Sequence, residues 1–222
     1  MSPLRDIYNT LYKYFGPQHW WPGDSVLEIM VGAILTQNTN WENVSRAIAN
    51  LKENNLLSLG ALAELPLEHL AEKIRPAGYY NIKAARLKNL LNLIKKDCND
   101  CRDPRDFLDE DREILREKLL AVKGIGPETA DSILLYAAGK PVFVVDAYTY
   151  RIFLRHGLIP EESTYGEIQE LFQDGLEEDV YLFNEYHALL VRLGKTFCKK
   201  TKPLCSSCPL RSHEPIVEEY LG

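Results

Sequence analysis

Apolar residues recur at helical spacing along most of the chain. The first clear stripe follows the i, i+3, i+4, i+7, i+8 pattern of a buried helical face. Its members are Val26, Ile29, Met30, Ala33 and Ile34. Asp24 or Ser25 is a suitable N-cap for this helix.

The same periodicity predicts eight further helices, separated by glycine and proline. They are Trp41–Lys52, Leu67–Ile74, Ile82–Lys96, Asp111–Leu120, Glu128–Ala137, Ala147–Arg155, Tyr165–Gln173 and Tyr181–Thr196. The apolar run Val142 to Val145 has no evident partner strand, and a lone strand leaves its backbone groups unsatisfied. We therefore interpret it as an extended connector and predict an all-α fold.

Composition narrows the class of protein. Of the 222 residues, 45% are hydrophobic and 26% charged, as in soluble globular proteins. No apolar run approaches the roughly 20 residues of a membrane span, and the first residues lack the pattern of a signal peptide. These features predict a cytoplasmic protein with no membrane partner.

The net charge of −6 alone argues against nucleic acid, but the charges are segregated. Seven Lys or Arg and no acid lie between Lys73 and Lys96, and six and no acid between Arg192 and His213. Eight acids and no base lie between Glu161 and Asp179. This pattern fits a protein with one phosphate-facing side. The alternative is that Lys83, Arg86 and Lys88 simply form a solvated helix face.

A glycine hairpin, Gly124-Ile125-Gly126, precedes Pro127 and the start of a helix. Glycine allows positive φ and close backbone approach, and proline suits the first helical position. Such a turn presents free N–H groups to a phosphate and grips a nucleic-acid backbone without reading its sequence. A plain connection between two helices is the alternative.

The segment LLAVKGIGPETADSILLYAAGKPVFVVDAYTYRI resembles the helix-hairpin-helix and aspartate motif of the endonuclease III superfamily of DNA base-excision glycosylases. GAILTQNTNWENV and RPAGYYNIKAARL resemble two further family segments, so the likeness covers roughly residues 20–210. It implies a two-lobed helical HhH-GPD glycosylase fold with an iron–sulfur-like C-terminal loop. The expected domains are residues 24–135, and residues 1–23 with 136–222.

The resemblance also implies roles for individual residues. Gln37 would insert into the duplex, and Tyr79 would wedge beside the flipped base. The expected backbone contacts to DNA are Lys123, Gly124, Ile125, Gly126 and Thr129. Asp146 taken alone is more simply a helix N-cap, but with the hairpin and loop at family spacing it takes the catalytic position.

A lone carboxylate suits base excision, because breaking the N-glycosidic bond develops positive charge on the sugar. Strand-cutting members of the superfamily carry a lysine two residues after the second hairpin glycine. Glu128 stands there, and Lys123 precedes the hairpin. We therefore expect a monofunctional enzyme that uses water rather than a covalent amine intermediate.

Three tryptophans, Trp20, Trp21 and Trp41, are candidates for the base pocket, since electron-rich rings attract a cationic planar base. The segments WWP, GAILTQNT, RPAGYYN and KGIGPETADSIL together look most like the 3-methyladenine glycosylase branch. A core aromatic cluster is the structural alternative. An oxidised-pyrimidine glycosylase/AP lyase is the second candidate function, and mismatch uracil or thymine removal is the third.

The C-terminal segment has the spacing Cys198-x6-Cys205-x2-Cys208. The resemblance implies a [4Fe-4S] loop, but Glu214 stands where the family has its fourth cysteine, with His213 one residue earlier. A cluster with His213 or another ligand, a Cys₃His zinc site and a loop without metal remain open. A split zinc site with Cys98 and Cys101 is a further alternative.

Two non-enzymatic functions also remain open. A DNA-binding module would keep the hairpin glycines but would not need Asp146, and a helical scaffold would leave the segregated charge unexplained. The resemblance implies a nucleoid-associated, prokaryotic-type protein whose partner is double-stranded DNA that contains a damaged base, bound by a monomer.

Overall fold

A computed structural model describes residues 3–21, 23–98 and 103–213. Within these ranges the chain forms twelve α-helices and no strand, which confirms the all-α prediction. The helices are α1 Pro3–Phe15, α2 Val26–Leu35, α3 Trp41–Glu53, α4 Leu59–Glu64, α5 Leu67–Lys73, α6 Tyr80–Asp97, α7 Pro104–Leu108, α8 Arg112–Leu120, α9 Pro127–Ser132, α10 Ala147–Arg155, α11 Tyr165–Gly175 and α12 Val180–Thr196. Arg75–Ala77 and Cys205–Ser207 are 3₁₀ turns, and Ile133–Ala137 is π-helical.

Contacts divide the chain into two compact units. Trp21–Lys140 forms one, which we call the hairpin unit. Met1–Trp20 together with Pro141–Gly222 forms the other, which we call the terminal unit. None of the described helices is both long and apolar enough to cross a membrane.

Helix α2 lies at the centre of the hairpin unit. Ser25 is its N-cap, accepting a hydrogen bond from the Glu28 amide at 3.2 Å. Nearly every side chain of the helix is buried, so its apolar character is not confined to one face. Val26 and Ile29, predicted to belong to a buried stripe, are only half-buried.

The pattern predicted one regular α-helix after the glycine hairpin, and this prediction was wrong. Helix α9 ends at Ser132 and continues as a π-helical turn, in which the Ala138 amide bonds to the Ile133 carbonyl. Asp131 is fully buried and accepts both hydrogen bonds of a bidentate pair with Arg116, at 2.7 and 3.1 Å. This pair fixes α9 against α8.

In the terminal unit, residues 141–146 form the predicted extended connector, and Val142 to Val145 are buried. Side chains of α11 satisfy part of its backbone. Gln169 donates to the Phe143 carbonyl at 2.7 Å, and Gln173 accepts from the Phe143 amide at 3.1 Å. The Phe143 ring stacks on Phe172 with centroids 3.7 Å apart. The connector therefore delivers Asp146 to the start of α10 from a fixed position.

Candidate functional site

Asp146 is the N-cap of α10 and uses only one of its carboxylate oxygens for that purpose. Oδ1 accepts hydrogen bonds from the Thr149 amide at 2.8 Å and from the Thr149 hydroxyl at 3.0 Å. The side chain is 11% exposed. The N-cap alternative is thus confirmed, and the catalytic role stays a prediction, since Oδ2 takes no part in the cap.

The second oxygen of Asp146 faces a histidine that the sequence analysis did not identify. Oδ2 lies 3.6 Å from Nε2 of His187, which is buried on α12. Burial raises the pKa of Asp146, but His187 and the two Thr149 hydrogen bonds together outweigh it and hold the pKa below its ordinary value. Asp146 is therefore an anion at neutral pH.

The glycine hairpin of the sequence is a tight turn between α8 and α9. Gly124 has φ +97°, and a Cβ there would overlap the Arg86 side chain, so only glycine fits. Gly126 is the N-cap of α9, with no side-chain hydrogen bond to cap it. Ile125 is buried, and its amide donates to the Val122 carbonyl at 3.0 Å.

Gln37, predicted to insert into DNA, lies in the turn after α2, and its side chain is bonded to the hairpin. Its Nε2 donates to the Gly124 carbonyl at 3.1 Å and to the Thr129 hydroxyl at 2.9 Å. Arg86 donates to its Oε1. An inserted Gln37 has to exchange these contacts for contacts to DNA.

Tyr79 and Lys123 both present side chains to solvent. Tyr79 is 70% exposed and adopts φ 46°, in the left-handed region that non-glycine residues rarely occupy. Lys123 is exposed, and its carbonyl accepts a hydrogen bond from Asn89 at 2.9 Å. Strain of this kind at an exposed aromatic tip suits a residue whose side chain must project.

The predicted base-pocket tryptophans belong to both units. Within the hairpin unit, Trp21 meets Trp41 edge-on with centroids 5.1 Å apart and contacts Tyr136 at 5.0 Å. Within the terminal unit, Trp20 lies under the Lys195 ammonium at 5.9 Å. All four rings are partly exposed. Tyr136, on the π-helical turn, is a member of the aromatic group that the sequence analysis missed.

One member of the predicted basic surface does not lie on the surface. Lys83 is 1% exposed, and its Nζ donates to the carbonyls of Leu35 at 2.9 Å and Ala77 at 2.7 Å. Burial, and to a smaller extent Arg86, lowers the pKa of Lys83 to about 8. Its inclusion among phosphate-facing residues was wrong, since both hydrogen bonds point into the protein.

The three C-terminal cysteines share one small cavity. Cys198, Cys205 and Cys208 line it together with Arg155, His156 and Arg211, among others. Burial raises the pKa of Cys208, and the neighbouring sulfurs of Cys198 and Cys205 raise it further. Arg155 donates to the Cys198 sulfur at 3.4 Å.

The predicted fourth ligand is engaged elsewhere. His213 Nε2 lies 3.0 Å from the Thr10 hydroxyl, while its carbonyl lies 2.8 Å from Nδ1 of His156. Glu214 lies outside the described residues, as does Cys101. Cys98 is disulfide-bonded, so its sulfur is not a zinc thiolate. Over the described part of the chain, no three His, Cys, Asp or Glu side chains are grouped so as to hold a single metal ion.

Comparison with known sequences places this site in a family context. Residues 31–178 match the family described as HhH-GPD superfamily base excision DNA repair protein. A Methanocaldococcus jannaschii protein provisionally named a DNA repair glycosylase is 49% identical over 205 residues, which is 92% of each chain. Endonuclease III of Thermotoga maritima is 30% identical over 210 residues, 95% of this chain and 91% of that one.

Solved structures show the same likeness. The H. pylori 3-methyladenine DNA glycosylase bound to 1,N6-ethenoadenine is 32% identical, with a TM-score of 0.73 over 88% of this chain and 98% of that one. An endonuclease III–DNA complex is 22% identical, with a TM-score of 0.79 over 94% and 92% of the two chains. The similarity to the endonuclease III complex, at 22% identity, is a similarity of fold.

Proposed function

Since the chain belongs to the HhH-GPD superfamily of base excision DNA repair proteins, we propose that this DNA repair glycosylase is monofunctional and releases alkylated purines such as 3-methyladenine. The observation that carries the proposal is the carboxylate of Asp146. One oxygen is fixed by Thr149, the other lies outside the cap and 3.6 Å from His187 Nε2, and the pKa is held low.

In the proposed reaction the damaged nucleotide is first flipped out of the duplex, since the bond to be broken is inaccessible within the stack. The C1′–N bond then breaks, and the base leaves with both electrons of that bond. Asp146 stabilises the positive charge on the sugar. A water oxygen bonds to C1′, and the carboxylate accepts the proton that this water loses.

Hydrolysis without strand cleavage is supported by the residue at the position of the lyase amine. Glu128 is exposed at the start of α9 and cannot form a Schiff base. Lys123, the nearest lysine in sequence, lies on the other side of the hairpin. The product is therefore an intact strand with an abasic site.

An alkylated purine is favoured by the aromatic group of the hairpin unit. Trp21, Trp41 and Tyr136 present electron-rich ring surfaces, which attract a flat cation. A cationic base leaves as a neutral molecule when it takes the bonding electrons, so no acid is needed to protonate it. The likeness to a 3-methyladenine glycosylase that binds 1,N6-ethenoadenine gives further support.

The proposed partner is duplex DNA, contacted through its backbone by the glycine hairpin. The exposed Gly126 at the N-cap of α9 supports a phosphate contact, and the exposed Lys123 adds positive charge. Tyr79 is the proposed wedge, because an aromatic side chain that projects into the stack offsets the cost of unstacking.

For the cofactor, we propose a [4Fe-4S] cluster held by Cys198, Cys205 and Cys208. A cluster takes one thiolate at each of several irons, whereas zinc needs all its donors around one point about 2.3 Å away. The three thiols line one cavity, so each can bind one iron of such a cluster. The group would serve to shape the loop, and the base-release steps above do not involve it.

A second candidate function is oxidised-pyrimidine removal, favoured by the 30% identity to an endonuclease III. A panel of duplexes distinguishes the two, each carrying 3-methyladenine, 7-methylguanine, thymine glycol, uracil or an abasic site. Single-turnover release should be fastest for 3-methyladenine. Strand breaks should form only after alkali treatment. Fastest release of thymine glycol would overturn the proposed substrate, and breaks without alkali would overturn the monofunctional mechanism.

A further inference from the structure

Lys83 is a charged group buried within the hairpin unit, and the mechanism above does not use it. Its side chain is 1% exposed. A buried ammonium is costly unless hydrogen bonds replace its hydration. Two carbonyls supply such bonds, Leu35 at 2.9 Å and Ala77 at 2.7 Å.

Each of these carbonyls stands just before a turn that carries a proposed DNA-inserting residue. Leu35 is the last residue of α2, two positions before Gln37. Ala77 ends its 3₁₀ turn, two positions before Tyr79. One ammonium group therefore joins the ends of two segments that are 42 residues apart in sequence, 35 and 77.

Arg86 and Asn89 extend this connection to the glycine hairpin. Arg86 donates to Gln37 Oε1 and packs against Gly124. Asn89 Nδ2 donates to the Lys123 carbonyl at 2.9 Å. Lys83, Arg86 and Asn89 are spaced three residues apart on α6, so they lie along one face of that helix.

We propose that this face of α6 fixes the spacing of the Gln37 turn, the Tyr79 turn and the hairpin, and that Lys83 is the positioning residue for the two inserting side chains. The inference rests on the proposed function in one respect, the roles of Gln37 and Tyr79 in opening the duplex. Lys83 itself, being buried, touches no DNA.

A lysine suits this position because its ammonium can donate to two carbonyls that approach from different segments. A methionine would fill much the same volume but donate no hydrogen bond. The two turns would then lose their shared anchor while α6 kept its packing. An inserting residue displaced by about 1 Å can lower a rate by roughly a hundredfold.

Lys88 provides a matched control on the same helix. Its Nζ also donates to two carbonyls, Leu62 and Ala63, each at 2.8 Å. Those carbonyls belong to α4, which carries none of the proposed DNA contacts. Lys88→Met therefore removes the same chemistry from a place where the proposal predicts no effect on insertion.

The test measures insertion separately from base release. A duplex with a tetrahydrofuran abasic analogue and 2-aminopurine opposite it reports unstacking by fluorescence, whether or not the protein cleaves a glycosidic bond. Lys83→Met should lower the fluorescence rise at saturating protein. Lys88→Met should match the unaltered protein there, because a lost surface charge alters the affinity for DNA and not the extent of insertion once the DNA is saturated. Single-turnover release of 3-methyladenine by Lys83→Met should fall by about tenfold or more.

Unchanged fluorescence in a folded Lys83→Met protein overturns the inference. If that variant does not fold, Lys83→Gln replaces it, because a shorter polar side chain keeps a donor on α6 but no longer joins both carbonyls. Normal insertion by a folded Lys83→Gln protein would then overturn the inference. An unaltered protein that inserts but releases no base would disprove the proposed function and leave the positioning role standing.

Discussion

Asp146 caps its own helix through Thr149 with a single oxygen, and the two hydrogen bonds of 2.8 and 3.0 Å converge on Oδ1. The cap and the proposed chemistry thus use different atoms of one carboxylate. A substitution of Asp146 that keeps Oδ1 and removes the negative charge separates the helix cap from the proposed chemistry.

Asp146→Asn should abolish most base release and leave the fold intact. Asparagine caps helices about as well as aspartate, so α10 should persist and the melting temperature should change little. The lost anion no longer stabilises the sugar cation, and we expect the single-turnover rate to fall about a hundredfold or more. Asp111→Asn, at the N-cap of α8, is the control and should leave the rate unchanged. Undiminished release by Asp146→Asn would disprove the mechanism.

Glu128 should decide whether the enzyme can cut the strand. Borohydride should trap no covalent adduct with the unaltered protein, because no amine occupies this position. Glu128→Lys places an amine at the start of α9 and should yield a trapped adduct and strand breaks without alkali. A double variant that carries both Glu128→Lys and Lys123→Ala should still form the adduct. An adduct with the unaltered protein that disappears in Lys123→Ala would show that Lys123 is the nucleophile instead.

Trp41 should contribute more to the release of a charged base than of a neutral one. Replacing it by alanine removes a ring whose attraction for a buried cation is worth about 2 kcal/mol, or about 30-fold in rate. Trp41→Ala should therefore slow release of 3-methyladenine more than release of the neutral base 1,N6-ethenoadenine. Trp41→Phe should recover part of the loss. Equal losses for the two bases would indicate packing rather than cation recognition.

Iron content should depend on the C-terminal cysteines. Protein purified without air should hold about four irons and four sulfides per chain if the proposed cluster is present. Cys208→Ser should lose most of them, since Cys208 lines the shared cavity. Cys98→Ser, outside that cavity, should keep them. One zinc ion per chain, or no metal in the unaltered protein and in Cys98→Ser, would contradict the proposal.

Lys83 should make the free energy of unfolding depend on pH. Its pKa is about 8 in the folded protein, below the ordinary 10.5. Between these values the unfolded chain holds a proton that the folded protein has released, so stability rises with pH. Relative to Lys83→Met, the unaltered protein should gain stability from pH 8 towards pH 10. Below pH 8 the difference should be constant. Urea titrations at several pH values measure the difference in free energy of unfolding between the two proteins. A difference that does not change with pH would show that Lys83 is not desolvated.

The sequence predicted α10 with its observed bounds, because an aspartate N-cap and an amphipathic pattern agree on where it begins. Helix α1 was missed although Leu4, Ile7, Tyr8 and Leu11 have helical spacing and are buried. The π-helical turn could not be predicted in the same way. One extra residue in a turn leaves the 3.6-residue pattern almost unchanged, while it shifts where Tyr136 points.

The candidate site was predicted where a motif is contiguous and missed where tertiary contacts define it. Asp146 and the hairpin glycines follow from short segments. His187 lies 41 residues beyond Asp146, on a helix whose pattern gives no sign that this side chain faces a carboxylate. Lys83 looked like a surface charge, since only the folded chain brings two distant carbonyls to its ammonium.

The connector before Asp146 is an apolar segment that could promote aggregation if its backbone were open to other chains. An extended apolar segment with open backbone groups is a template for pairing with other chains. In this protein the side chains of Gln169 and Gln173 hydrogen-bond to the backbone carbonyl and amide of Phe143. The Tyr165 hydroxyl lies 3.4 Å from the Val145 amide. Three side chains of α11 thus take the place that a neighbouring strand would otherwise fill. The run that holds Asp146 in position is thereby protected against aggregation.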